Sequence, residues 1–165
     1  MPCRQRGVGL IEVLVALLVL AVGFLASGRM QVQSLHESQS AYHRSQARLL
    51  LDDMMDRMRN NPRGVEAGGY DAKDTTATVD TDCVSRFCTG AELAAHDLHV
   101  WGRSLDPGSG RAVLLPRGSD GAAARGSIEA LGDGVYRVAL SWEALVDGAP
   151  VEETASALFV PRSRP

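Results

Sequence analysis

A chain of 165 residues suggests one folded domain plus any targeting element. Its formal charge is −3, and its 17 basic residues, all arginine except Lys73, are scattered along the chain. That pattern excludes a polybasic nucleic-acid-binding arm, and no nucleic acid is expected as a partner. The apolar fraction of 45% is ordinary, but much of it is gathered into one run near the start.

Residues 1–7 read Met-Pro-Cys-Arg-Gln-Arg-Gly, a short basic stretch ending in Gly7. From residue 8 to residue 28 the only ionisable side chain is Glu12. As a helix this segment spans about 31 Å, roughly one hydrocarbon thickness. Arg4 and Arg6 would hold the N-terminus in the cytoplasm. Three readings compete. One is a secretory signal cut near Ala26-Ser27-Gly28, the second a permanent anchor, and the third a leader removed ahead of the apolar run. Glu12 bears on the choice. A charge within an apolar span costs about 2.5–3.5 kcal/mol at a helix centre and less toward its ends. Neither a plain signal nor a plain anchor has a use for it.

Arg6-Gly7, followed by Leu10-Ile11-Glu12-Val13-Leu14, resembles the class III leader of type IV pilins and type II secretion pseudopilins. The resemblance implies that a prepilin peptidase cuts between Gly7 and Val8 and then methylates the new amine of Val8. The glutamate found at the fifth mature position in that family falls here on Glu12. Val8 and Gly9 stand where the family usually has Phe and Thr. The resemblance also implies that Glu12 of one subunit meets the N-terminal amine of a neighbour. A matched amine and carboxylate offset most of the penalty of burying either, so the pair would set the axial register of assembly. Removal of residues 1–7 takes away Cys3 together with Arg4 and Arg6, which moves the formal charge from −3 to −5 and leaves an even pair of cysteines.

Residues 29–60 contain neither Pro nor Gly. Leu35, Tyr42 and Leu49 recur every seven residues, and Leu51, Met54, Met55 and Met58 follow the i, i+3, i+4, i+7 pattern of one helix face. Asp52, Asp53, Asp56, Arg57 and Arg59 lie opposite that face. The methionines are read as core packing rather than as a metal or cofactor site. Asn60-Asn61-Pro62-Arg63-Gly64 is a stop signal. One helix of about 50 residues therefore runs from an apolar half into an amphipathic half. The expected organisation is a leader at 1–7, a membrane or fibre-core helix at 8–28, its amphipathic continuation at 29–61, and a globular head at 62–165.

The head opens with a loop-rich stretch over residues 64–90. Cys83 and Cys88 within it form a metal pair, a redox pair or a disulfide. No second Cys pair or suitably spaced His pair accompanies them, and the spacing is not Cys-x-x-Cys. An oxidising compartment favours a small disulfide loop. Thr89-Gly90-Ala91-Glu92 matches a capping box, and Ala94, Leu98, Trp101 and Leu105 fall on one face of the helix it opens. His96 and His99 share a side of that helix but lack a third ligand in sequence, so no metal is expected. Strands are expected at residues 111–115, briefly at 127–131, at 135–142, and at 151–160 after a turn over 147–150. Tyr136, Val138, Leu140 and Trp142 alternate onto one face. An amphipathic helix on an antiparallel sheet makes an α+β fold of two layers.

Cys83 and Cys88, then Ala94-Ala95-His96-Asp97-Leu98 with Trp101, then Tyr136-Arg137-Val138 with Ser141-Trp142, look like the PilV-type minor pilins. That resemblance implies a type IV pilin-like fold. It also implies a role in priming and modifying pilus assembly, in presenting a tip adhesin, and in twitching motility and attachment. The implied partners are the prepilin peptidase, other minor pilins and the major pilin, and a tip adhesin. The implied location is the inner membrane, N-terminus cytoplasmic and head periplasmic, followed by the fibre or its tip. No nucleophile motif, phosphate loop or paired catalytic carboxylates stand out, so neither an enzyme nor a cofactor is expected. A type II secretion pseudopilin of the I class, and a signal-anchored periplasmic binding protein or enzyme, are the alternatives.

Overall fold

The computed structural model describes residues 9–76, 78, 81–106, 108, 115–146 and 148–161. Helix α1 runs Leu10–Asn60 as 51 residues of α-helix. It contributes to two compact units, Met1–Ala41 and Tyr42–Pro165.

In the first unit every residue of α1 from Leu10 to Gln39 is exposed. No proline interrupts the helix, and Gly23 and Gly28 sit in it with open space where a Cβ would stand. The hydroxyl of Ser27 donates to the Gly23 carbonyl at 2.9 Å, which satisfies a polar group inside an apolar run.

In the second unit α1 turns one face inward. Ala47, Leu50, Leu51, Met54, Met55 and Met58 are buried, which follows the 3.6-residue period. Tyr42 and Leu49 lie on the outer face, and both are exposed. Asn61 ends the helix and at once caps a second one, α2, at Pro62–Glu66. Its side-chain oxygen accepts from the Gly64 N–H at 3.0 Å, and Pro62 takes the first position, where a missing N–H costs nothing. The loop expected from residue 64 thus begins as a helical turn.

Helix α3 spans Gly90–Leu105. Thr89 and Glu92 form a reciprocal capping box at its start. Ala94, Leu98, Trp101 and Leu105 are its buried stripe, joined by Asp97. Trp101 donates its indole N–H to the Leu50 carbonyl at 2.9 Å, fastening α3 to α1.

The sheet has order β1-β2-β3-β4, and all neighbours are antiparallel. Strand β1 is only Lys73–Asp74; β2 is Arg125–Gly132, β3 is Val135–Val146 and β4 is Ala149–Phe159. Strand β1 has too few residues to carry any alternation, so no sequence pattern marks it. The strand expected at residues 111–115 lies, except for a buried Leu115, outside the described residues. Tyr136, Val138, Leu140 and Trp142 all face the helices and are buried. Val146 pairs with Ala149, so Ala149 and Pro150 belong to β4 rather than to the turn. Gly148, at φ 81°, adopts the left-handed conformation that this tight turn demands; Asp147 lies outside the described residues.

Gly126 in β2 lets the two layers meet. A Cβ there would stand 2.3 Å from Cζ3 of Trp101. The absence of a side chain lets the indole lie on the strand. The core is thus helices α1 and α3 on one face of a small antiparallel sheet, an α+β architecture.

Candidate functional site

Two regions carry the residues singled out from sequence. The first is the start of α1. Gly7 and Val8 lie outside the described residues, as does the rest of the leader. Gly9 accepts from the N–H groups of Glu12 at 2.9 Å and Val13 at 3.4 Å, which closes the opening turn. Glu12 is the acidic residue of that turn. A carboxylate there sits where the partial positive charge of the helix end favours it. Helix α1 carries an 18-residue window of mean hydropathy 2.6, none of it buried, long and apolar enough to cross a membrane. Leu10, Ile11, Phe24 and Leu25 are each about three-quarters exposed. An apolar surface of this extent requires a lipid or protein environment.

The second region is the loop leading into α3. Cys83 and Cys88 are joined in a disulfide. Asp82 folds the loop from within: its Oδ1 accepts from the N–H of Val84 at 3.0 Å and of Ser85 at 3.1 Å, and Ser85 Oγ donates to its Oδ2. These bonds, that of the Ser85 hydroxyl foremost, hold the Asp82 carboxyl below its ordinary range. Glu92 accepts from the Thr89 N–H at 2.8 Å, from Thr89 Oγ1 at 2.9 Å and from Arg86 at 3.0 Å. Its pKa is held down to about 2, chiefly by the Thr89 backbone N–H, then the Thr89 hydroxyl, then Arg86. Val84 and Phe87, inside the closed loop, are open to solvent.

A polar cluster behind this loop was not legible in sequence. Tyr70 donates its hydroxyl to Asp97 Oδ2 at 2.6 Å, and Asn61 Nδ2 donates to Tyr70 Oη at 3.0 Å and to the Gly90 carbonyl at 2.8 Å. Arg57 reaches Asp97 Oδ1 at 3.4 Å and Asp53 at 3.0 Å. Asp97 and Asn61 are the buried polar residues here, and each is satisfied. Burial, followed by the bond to Asp97, pushes the Tyr70 hydroxyl well above the usual tyrosine value. The one signal available was the polar Asp97 within the apolar stripe of α3. Its partners come from 27 and 40 positions away, which no local pattern reveals.

The histidines of α3 are engaged singly. His96 Nδ1 lies 2.6 Å from the Thr81 carbonyl, and His99 Nδ1 lies 3.4 Å from Thr78 Oγ1. Among the described residues no three His, Cys, Asp or Glu side chains gather as metal ligands. An open hollow of about 1110 Å³ lies where α2, the start of α3 and the end of β4 converge; its lining includes Val65, Leu93, Tyr136 and Val160 together with the charged residues Arg63, Glu66, Asp71 and Asp133.

Residues 29–99 match the family model of Tt1218-like type IV pilins, described as Type IV pilin Tt1218. Residues 2–28 match the prokaryotic N-terminal methylation motif. The two matches adjoin, the motif over the apolar start of α1 and the domain over its continuation, the disulfide loop and most of α3. They are matches to structural proteins rather than to an enzyme. The methylation motif implies processing by a prepilin peptidase and assembly with other such subunits, from a membrane-anchored precursor. Comparison with curated proteins and with solved structures found no match.

Proposed function

We propose, for a chain that belongs to the type IV pilins, the work of a minor pilin: a subunit that primes or modifies the fibre rather than forming its bulk. The observation that carries this reading is the uncovered apolar surface of α1 from Leu10 onward, in which Glu12 is the only ionisable side chain as far as Gly28. In the bilayer such a helix is solvated by lipid. In a fibre it is solvated by the like helices of neighbouring subunits, and there a carboxylate needs a cation. Cleavage after Gly7 supplies one, the methylated amine of Val8 on a neighbouring subunit. Pairing of that amine with Glu12 fixes how far one helix slides along the next.

In this reading the N-terminus starts in the cytoplasm and the head lies in the periplasm until the subunit is drawn into the fibre. The domain match to Tt1218-like pilins supports a type IV pilin; the PilV-like residues around Cys83, Cys88 and Trp101 are what favour a place among the minor pilins, near the tip. There the head would help present an adhesin and support attachment and twitching motility.

The deciding experiment is the mass of the mature N-terminus together with the composition of sheared fibres. A methylated Val8 is expected. Glu12→Ala is expected to leave membrane insertion intact and to deplete the chain from fibres. An N-terminus at Met1 or Arg29, or wild-type amounts of Glu12→Ala in fibres, would reject the proposal. Deletion of the gene is expected to reduce piliation; loss of protein secretion with normal pili would instead mark a secretion pseudopilin.

A further inference from the structure

Strand β4 stands at one edge of the sheet, and among the described residues no strand lies beyond it. It pairs with β3 at every position from Ala149 to Phe159, without a bulge. The alternate N–H and C=O groups on its outer side therefore form a regular row that no neighbouring strand satisfies. The opposite edge, β1, is only two residues, both charged, Lys73 and Asp74.

The two halves of β4 differ. In the first, Pro150 has no N–H to offer, Glu152 is exposed, and Glu153 turns its charge toward the helices, where Arg44 engages it at 3.1 Å. Proline and inward-pointing charge are the devices that keep an edge from pairing. The second half, residues 154–159, has neither. It reads Thr-Ala-Ser-Ala-Leu-Phe, and it offers about 20 Å of open backbone. Thr154, Ser156 and Leu158 are exposed on the outer face, and the small side chains of Ala155 and Ala157 are only partly buried against the core. An added strand would cover both alanines. At the far end Arg59 lies 5.6 Å over the Phe159 ring and pairs with Asp56. The arginines that border the edge at its two ends are thus already engaged, and an uncharged segment fits between them.

The same two contacts exclude a second copy as the occupant. Arg44 meets Glu153 and Arg59 meets Phe159, so α1 and β4 run in one direction. Two β4 edges joined antiparallel would set their α1 helices antiparallel. Joined parallel, they would put the helices on opposite faces of the shared sheet. Subunits drawn from one membrane into one fibre keep these helices parallel and side by side.

We propose that residues 154–159 receive a strand from a different fibre component, an extended uncharged segment of about six residues that lengthens the sheet by one strand. Backbone hydrogen bonds supply the affinity, and the partner's alternate side chains close over Ala155 and Ala157. This rests on the pilin reading, which supplies the fibre, and adds how the head grips an unlike neighbour.

The test is photocrosslinking of the full-length chain in cells that make fibres, with benzoylphenylalanine replacing Thr154, Ser156 or Leu158 one at a time. Each variant is expected to give an adduct with one other protein. The three attachment points should lie on a single peptide of it and move along that peptide in one direction, by about two residues per step, the period of a paired strand. Ala157→Lys, an inward charge of the kind that blunts the first half of β4, should lower the yield from residue 154 about tenfold while the head keeps its circular dichroism spectrum. Attachment points scattered over several segments would overturn the proposal, as would adducts of twice the chain's mass or within one chain. So would parent yield in Ala157→Lys, or fibres that contain the chain but give no adduct. In that last case a methylated Val8 would leave the pilin reading standing. Absence of the wild-type chain from fibres would overturn both.

Discussion

Tyr70 places its hydroxyl 2.6 Å from Asp97, so the loop after α2 is bonded to the middle of α3 inside the head. Asn61 and Arg57 extend this bond to the end of α1. Removal of Asp97 leaves a buried hydroxyl without its acceptor and Arg57 without one of its two carboxylates. Asp97→Ala is expected to cost about 1–3 kcal/mol of head stability. Tyr70→Phe, which removes the donor and leaves the acceptor with Arg57, should cost less. Thermal unfolding of the full chain in detergent, followed by circular dichroism, checks both the size and the order of these effects.

The same tyrosine sets an alkaline limit. Its pKa in the folded head is raised, so the folded state keeps a proton that the unfolded chain releases above about pH 10. Its contribution is therefore complete below that pH and is lost as pH rises further. Unfolding midpoints measured from pH 8 to 11 should fall for the parent chain and be flatter in Tyr70→Phe.

Glu92 works in the opposite direction. Its folded pKa of about 2 lies below the unfolded value, so its contribution is complete above about pH 4.5 and is lost as pH falls toward 2. A carboxyl-carbon NMR titration should show Glu92 still ionised at pH 3.5, where exposed glutamates are protonated. Glu92→Gln should remove that titration without unfolding the head at neutral pH.

Gly126 and Trp101 test the packing of the two layers. A methyl at residue 126 overlaps the indole ring, and the strand backbone has little room to retreat. Gly126→Ala is expected to destabilise the head by about 1–3 kcal/mol. Gly121→Ala, in the open but at positive φ, provides a comparison in which only backbone strain is added. Urea unfolding curves with unchanged slope and a lower midpoint for Gly126→Ala would bear this out.

Reduction of the disulfide tests the loop. Closing a loop this short constrains the unfolded chain by only about 2 kcal/mol. Cys83→Ser with Cys88→Ser should therefore leave a folded head, with α3 still held at its start by Thr89 and Glu92. Retained helicity with a modest loss of stability is the expected result; global unfolding would contradict it.

How much of this was legible depended on the range of the interaction. The stripe Leu51, Met54, Met55 and Met58 and the alternation of Tyr136, Val138, Leu140 and Trp142 were legible because burial repeats with the period of the element. The capping box at Thr89 was legible because its partners are three residues apart. The Tyr70–Asp97–Asn61 cluster was not, because tertiary structure alone brings those side chains together. Helix α2 was hidden by its own stop signal, since Asn61-Pro62 ends one helix and starts another. Strand β4 was expected from its composition, yet along most of its length it remains open to solvent, and the sequence does not show which strands stand at the edge of the sheet. Glu12 was legible as an anomaly of charge, whereas the hollow beside α2 emerges only from the fold.

Both tryptophans of the chain, Trp101 and Trp142, are buried in the core of the head, and the apolar half of α1 has none. Intrinsic emission from this protein therefore reports on the folded state of the head alone and is blind to whether its first helix lies in detergent, lipid or polymer. A probe placed in residues 10–28 would report on that helix independently, so the two events, folding of the head and capture of the helix, can be timed separately in one sample.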